Sequence, residues 1–590
     1  MDENQAEIGE EDAAGGEFRF SPRGNLAHEI NWHTWGSRAF QRAESEGKPV
    51  LLSISAVWCH WCHVMDETSY SDRAVIDLIN RKFVPVRVDS DRNPDINRRY
   101  NQGGWPTTAF LDAKGTLLAG ATYIPPEAMR AALERISDLY AKHEIDIVEP
   151  DQDFFLPTAK GGGLDLGIVE ESGAQILRAW DRAHGGLGRE PKFPQTEALE
   201  LALELYADEG NREHLVFART SLEAMIGSNL LDKVEGGFFR YSTTRDWSIP
   251  HYEKMLSDNA GLVSVLLKAY NVTGAEIFRR TALETAGFII GKLSDGVSRL
   301  YGSQDADERY YLLGAAERAA LTPPPVDMTV YTDLAARAAA SLLVVGTALG
   351  RPEHARLALS SLDFLWSESY RPGQGMAHYH DGEAHRWGLL NDSVEAAAAF
   401  LYAYAYGGDR RQLERAETLL RLVMDLHWDG ERSLFLDTAR TGSLPALRPI
   451  PAEPGPQARA AEAMLLYSSL GGDEEWRERA GAVLSAAAGM VAAYGFMAAD
   501  LARVVNLYLR GQVVVKIGGE PGATAHSLLR VAALSPQART IPMVCGKMGR
   551  IEGEVWAEVC TARACRLRTS DPEVLSGDLG VIVRTGKEGG

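Results

Sequence analysis

Pro49-Val50-Leu51-Leu52-Ser53-Ile54-Ser55-Ala56-Val57-Trp58-Cys59-His60-Trp61-Cys62-His63 is an apolar run that ends on two cysteines three apart. Its first seven residues read as a buried strand and the part after Trp58 as a helix. A sulfur at a helix start faces unpaired backbone amides and the positive end of the helix dipole, which favours the thiolate. Cys59, nearer the helix end, is therefore the expected nucleophile and Cys62 the resolving thiol. His60 between them adds positive character. The pattern predicts a redox dithiol at a strand-to-helix junction. Two other readings fit the same letters: Cys59-His60-Trp61-Cys62-His63 matches a c-type haem attachment motif, and Cys59, Cys62 and His63 could ligate zinc.

Working outward, helical patterns flank the motif at 35–47 and 72–80, and a second strand runs over 83–89. A short helix at 94–101, a hairpin turning at Lys114-Gly115 and a closing helix at 126–142 complete one α/β domain over 25–142. An acidic tail, 1–24, precedes it, and a Pro- and Gly-containing linker, 143–166, follows. From 167 to 510 the chain is almost wholly helical. Twelve helical stretches alternate short connections, at Gly210, Gly274, Gly350, Gly407-Gly408 and Gly471-Gly472, with long ones at 184–194, 231–254, 294–328, 371–391 and 427–456. Antiparallel helices joined in this way collect every long loop at one end. That layout predicts a closed (α/α)6 toroid; an open α-solenoid is the rival arrangement. Residues 511–590 return to strand-like runs and read as a small C-terminal α/β appendage.

The fold class expected is thus multidomain, α/β followed by all-α followed by a short α/β segment. The 590-residue chain carries a net charge of -20, which argues against a nucleic-acid partner. Its start is acidic with no apolar core, and its apolar stretches are short, so the expectation is a cytoplasmic protein with no membrane partner. Five cysteines in so long a chain are no disulfide scaffold. No cofactor is called for.

The toroid's long loops concentrate groups suited to a carbohydrate-type pocket: His251, Glu253, Lys254 and Asp258, then Asp305 and Asp307, then His378, with Asp392 at a helix start. Tyr241 and Trp247 could stack on a sugar face. Each has a plain structural reading as well: Asp392-Ser393 fits a helix cap, and Asp258-Asn259 could brace a loop.

Trp58-Cys59-x-x-Cys62 after a buried strand, with Trp105-Pro106-Thr107 about forty residues on, resembles the thioredoxin fold. The resemblance implies that Pro106 is cis and lines the groove beside the dithiol. It also exposes a departure, because the buried acid expected six residues before the first cysteine is Ser53 here. More broadly, Asn31-Trp32-x-x-Trp35, Gly103-Gly104-Trp105-Pro106, Pro191-Lys192-Phe193-Pro194, Gly236-Gly237-Phe238-x-Arg240-Tyr241 and Pro250-His251-Tyr252-Glu253-Lys254-Met255 resemble the YyaL-type family, related to the spermatogenesis-associated thioredoxin-like protein of animals. That family joins a thioredoxin-like domain to a six-hairpin toroid of the glycosidase/epimerase type. The resemblance implies a thiol-disulfide oxidoreductase with a protein thiol or disulfide partner, fused to a toroid with a sugar ligand. The alternatives are a sugar hydrolase or epimerase with a regulatory or vestigial dithiol, and a non-catalytic binding scaffold.

Overall fold

Strand β1, Val50–Ser55, is buried at all six positions, which is why it reads as a continuous apolar run and not as an alternation. It pairs parallel with β2, Val84–Asp89, and antiparallel with β3, Thr107–Leu111, while β4, Leu117–Ala121, closes the sheet in the order β2-β1-β3-β4. Around the sheet lie α1 (Ser37–Glu46), α2 (His60–Glu67), α3 (Arg73–Lys82), α4 (Pro94–Tyr100) and α5 (Pro126–Ala141). Helix α3 starts where the Asp72 carboxylate accepts the Ala74 and Val75 amides at 3.0 Å, and it buries Val75, Ile76 and Ile79 on one face. This computed structural model describes residues 18–144, 163–439, 448–545, 555–562 and 564–581. Most of the expected tail and linker lies outside them. Contacts divide the chain into two compact units, one built on Met1–Phe154 together with Asp305–Asp307 and Thr438–Ile450, the other holding the rest.

In the second unit the long helices are α6 (Leu166–Ala179), α7 (Thr196–Glu209), α8 (Arg212–Gly227), α9 (Leu256–Thr273), α10 (Glu276–Lys292), α11 (Thr332–Ala348) and α12 (Pro352–Ser369). After strands β5 (Gly375–His380) and β6 (Ala384–Trp387) come α13 (Leu390–Gly407), α14 (Arg410–His427), α15 (Pro454–Ser469), α16 (Glu475–Ala487) and α17 (Ala499–Arg510). Helices α7, α9, α11, α13, α15 and α17 each pack on the next, and α17 packs back on α7, so the ring is closed and a solenoid is excluded. Each inner helix has an outer partner after a short turn, except α17. Its outer partner is α6, so the sixth hairpin is assembled from the two ends of the toroid sequence. The short turns work because Gly210, Gly274 and Gly408 end their helices at φ of 73°, 67° and 72°, a region that costs glycine little. Inner helices touch neighbours on most sides, so α11 and α13 are rich in buried alanine.

The C-terminal segment forms β7 (Val513–Gly518), α18 (Ala523–Ala533), β8 (Thr540–Val544), β9 (Trp556–Cys560), β10 (Cys565–Thr569) and α19 (Pro572–Leu579). It packs on the short-turn end of the toroid: α18 meets α11, β8 meets α13, and the Asn271 amide donates to the Ala533 carbonyl at 3.2 Å. The one stretch among the described residues that is long and apolar enough to cross a membrane, Gly489–Arg510, is over half buried. It contains inner helix α17.

Candidate functional sites

The dithiol sits where β1 hands over to α2. Cys59 is the N-cap of α2, and its Sγ accepts the Cys62 amide at 3.1 Å, so a helix-terminal N–H points at the sulfur. The two cysteines form a disulfide with Cα atoms 5.2 Å apart. Both are buried, Cys62 the more deeply, and His60 between them is half-buried. The Trp105-Pro106 bond is cis. Around the pair, Trp58 donates to Asp91 at 2.6 Å and meets Trp105 edge-on at 5.5 Å, while the exposed Trp61 lies 5.3 Å from Tyr123. His63 is buried, its Nε2 lies 2.9 Å from the Val57 carbonyl, and burial holds its pKa below the usual histidine value.

Ser53 is buried in β1 opposite Thr108, whose hydroxyl lies 3.2 Å from that of Tyr70. Hydroxyl groups thus surround the position where the thioredoxin pattern has an acid. The domain does bury a carboxylate elsewhere. Asp66, one turn after Cys62, takes two hydrogen bonds of 2.9 Å from Arg87 and one of 3.0 Å from the Ser21 amide. The guanidinium in turn stacks on Phe20 and Trp32. This acid is committed to an ion pair.

In the toroid the long loops divide the expected residues into two groups. One group is structural. Lys254 is fully buried, donates to Asp232 at 2.7 Å and to the Gly236 carbonyl at 2.8 Å, and is enclosed by the rings of Phe239, Phe288 and Tyr311. The previous loop repeats the device, with Lys192 on Asp181 at 2.8 Å and on the Gly185 carbonyl at 2.6 Å. Gly185 and Gly236 thus each take part in an Asp-Gly-Lys lock. Trp247, 1% exposed, donates to the His184 carbonyl and packs on Gly186, which leaves no face for a sugar. Asp305 and Asp307 group with the first unit, the former binding its neighbour's amide and the latter exposed. Loop position in sequence could not reveal these differences.

The other group converges. His251 stacks on Tyr241 with centroids 5.0 Å apart, and Tyr241 stacks on Phe193 at 4.7 Å. Burial pushes the Tyr241 phenol up to about 12. Glu253 pairs with His251 and, at 3.4 Å, with Arg240. Asp258, in the first turn of α9, has one carboxylate oxygen with no hydrogen-bond partner. Burial pushes it up to about 6, against the pull of Arg240. Glu197 of α7 and Arg337 of α11 meet at 2.6 Å, both with over a third of their side chain exposed, so this ring has an accessible lumen at that level. Asp500 of α17 lies in the field of the same Glu197 and burial raises it to about 6. Further along the axis Arg459 bridges Glu395 and Glu462 at 2.9 and 2.7 Å, and Arg503 meets Glu462 at 2.8 Å. Glu197, Arg337, Arg459 and Asp500 were not singled out from the sequence. Their signal was there, as charges at i, i+3 or i+4 in alanine-rich helices, and it marks the lumen face. A separate cluster joins His378 of β5 to the buried Asp392 of α13 at 3.0 Å, with burial raising Asp392 to about 6. Asn391 donates to Asp333 at 2.8 Å beside it, and donor atoms of Asp333, His378 and Asp392 lie within 4.8 Å of one another, close enough to share a cation.

Together these features define the protein as a thioredoxin-like domain joined to a six-hairpin helical toroid. Residues 23–156 match the Thioredox_DsbH family, described as a protein of unknown function, DUF255. The chain is 31% identical to spermatogenesis-associated protein 20 of Rattus norvegicus over 307 residues, 47% of this chain and 39% of that one, so the match spans less than half of that relative's length. The thiol:disulfide interchange protein DsbD of Campylobacter jejuni is 31% identical over 75 residues, 12% of this chain and 13% of that one. Among solved structures, a sugar epimerase from a ruminal bacterium overlays 54% of this chain and 85% of its own at 14% identity and a TM-score of 0.44. The resemblance read from the motifs agrees with the first two of these matches.

Proposed function

We propose that this chain is a thiol-disulfide oxidoreductase whose reactive pair is Cys59 and Cys62, fused to a toroid that binds a carbohydrate-type ligand. The observation that carries the first half is the Cys59 sulfur held as a helix N-cap acceptor, in a domain whose Trp105-Pro106 bond is cis. A thiolate at Cys59 attacks the partner's disulfide, forming a mixed disulfide and releasing the partner's other sulfur, and the Cys62 thiolate then attacks Cys59 Sγ, closing Cys59–Cys62 and expelling the partner sulfur still bound to Cys59. His60 favours the thiolate, and Pro106 offers backbone to the partner chain. The partner is a protein thiol or disulfide, and the compartment a cytoplasm. The test is reduction of a protein disulfide by full-length chain and by Cys59→Ala and Cys62→Ala variants. Loss in both variants supports the reading; unchanged activity in both sinks it.

A second reading, sugar hydrolysis or epimerisation, has its own support in Asp258, an acid kept protonatable near neutrality among Glu253, His251, Glu197 and Arg337. A thermal-shift screen against mono- and disaccharides, run on the native chain and on Asp258→Asn, tests it. No shift with any sugar would leave the toroid as a scaffold.

A further inference from the structure

The C-terminal sheet has the same plan as the first one. Its order, β8-β7-β9-β10, matches β2-β1-β3-β4, and in each the central strand pairs parallel on one side and antiparallel on the other. Each then ends in an antiparallel hairpin and a helix. Where β1 runs into the dithiol, β7 runs into Gly518-Gly519-Glu520-Pro521-Gly522, with no cysteine. Cysteine appears instead at the hairpin. Cys560 closes β9, Cys565 opens β10, and the two are cross-strand partners joined by a disulfide. All five cysteines of the chain belong to these two sheet-bearing segments, and none lies in the toroid between them.

A purely structural staple would add little at this place. The hairpin is already held by its ladder and by the Thr561 amide donating to the Ala564 carbonyl at 2.9 Å, and a bridge across five residues closes a very short loop. The two sulfurs also differ in access. Cys565 is exposed, whereas Cys560 is 5% exposed and has a Glu558 carboxylate oxygen 3.7 Å from its Sγ, placed to accept an S–H. One open sulfur for attack and one shielded sulfur with a proton acceptor is the asymmetry that directed thiol exchange needs.

We propose that Cys560–Cys565 is a second thiol-exchange site, opened by an incoming thiolate at Cys565. The incoming sulfur bonds to Cys565 Sγ, the Cys560–Cys565 bond breaks, and Cys560 leaves, taking up the proton shed by the attacking thiol. A second thiol of the donor then attacks the incoming sulfur and releases Cys565 as a thiol. Two donor thiols become one disulfide, and the protein's disulfide becomes two thiols. The donor is a low-molecular-weight thiol or the vicinal dithiol of a protein. The site does not depend on how Cys59 and Cys62 function.

The test uses the full chain with Cys59→Ala, Cys62→Ala and Cys545→Ala, equilibrated in glutathione buffers of graded ratio and read by alkylation and mass spectrometry. The same peptides are mapped in the unsubstituted chain in case the triple variant misfolds. The expected result is reversible reduction of the pair with the helical circular dichroism unchanged. Adding Cys560→Ser should trap glutathione on Cys565, on the order of tenfold more than Cys565→Ser traps on Cys560. A parallel arm with reduced thioredoxin separates the donors, faster exchange with it indicating a protein dithiol and faster exchange with glutathione a small one. Reduction only on unfolding, equal trapping at both cysteines, or a stoichiometric zinc ion held by Glu558, Cys560 and Cys565 in the reduced chain would overturn the proposal.

Discussion

Arg87 donates two hydrogen bonds to Asp66 where both side chains are less than 5% exposed, so each charge depends on the other for its solvation. Arg87→Ala should therefore cost about 3–5 kcal/mol in the first transition of a denaturant titration, since it strands a buried carboxylate. The pair substitution Asp66→Leu with Arg87→Met should cost clearly less, and an equal loss would refute this account. Asp258 presents the opposite case, a half-buried acid with its proton affinity raised. Its folded-state value of about 6 exceeds the ordinary 3.8, so between these the folded chain binds more protons than the unfolded one and stability falls as pH rises. Asp258→Asn should then raise the thermal midpoint above pH 6 and leave it unchanged below 3.8. A constant difference across that range would show that the carboxyl is not the cause. Ser53 belongs at this scale as well: its identity was plain in the sequence, but the Tyr70 and Thr108 hydroxyls around it come from two other elements.

The loops show how an element can carry a legible motif with an illegible purpose. The alternating lengths of the connections placed every long loop at one end, among them glycine-bearing loops at 184–194 and 231–254. At Asp181 and Asp232 the glycines turn the chain so that a lysine ammonium can reach a carboxylate and a carbonyl together. Gly237 has φ 74°, and a Cβ there would meet the Phe288 ring at 2.4 Å; Gly296 has φ 71° with open space around it. Gly237→Ala should accordingly lower the thermal midpoint well beyond Gly296→Ala, whose cost is only the backbone term of about 1 kcal/mol. Similar midpoints for both would mean that the Phe288 contact relaxes freely.

At the scale of the whole molecule, the C-terminal segment is part of the toroid's core and not an ornament. Val514, Ala533, Leu534 and Ile541 join the apolar cluster of the ring helices, and Arg539 and Asn506 both hold Asp208 of α7, at 3.1 and 2.9 Å. A chain ended after Arg510 should expose that apolar end and be recovered aggregated or with a markedly lower thermal midpoint. A soluble truncated chain with an unchanged midpoint would contradict this. The division of the sixth hairpin between α6 and α17 makes the same point, because the ring closes only when residues over 300 positions apart meet.

Local patterns settled much of this protein in advance. Periodicity, glycine caps and the lengths of connections specify the helices and their in-and-out order, because each depends on neighbours a few residues away. The strand-to-helix setting of Cys59 and Cys62 was equally readable. Tertiary structure alone decided which charges are locked, as Lys254 is, and which share the lumen, as Asp258, Glu197, Arg337 and Asp500 do. A charge's role depends on what distant chain removes it from water, and that is a property of the closed ring. The dithiol was thus written in one stretch of sequence, whereas the grouping of the lumen charges exists only once six separate helices have met.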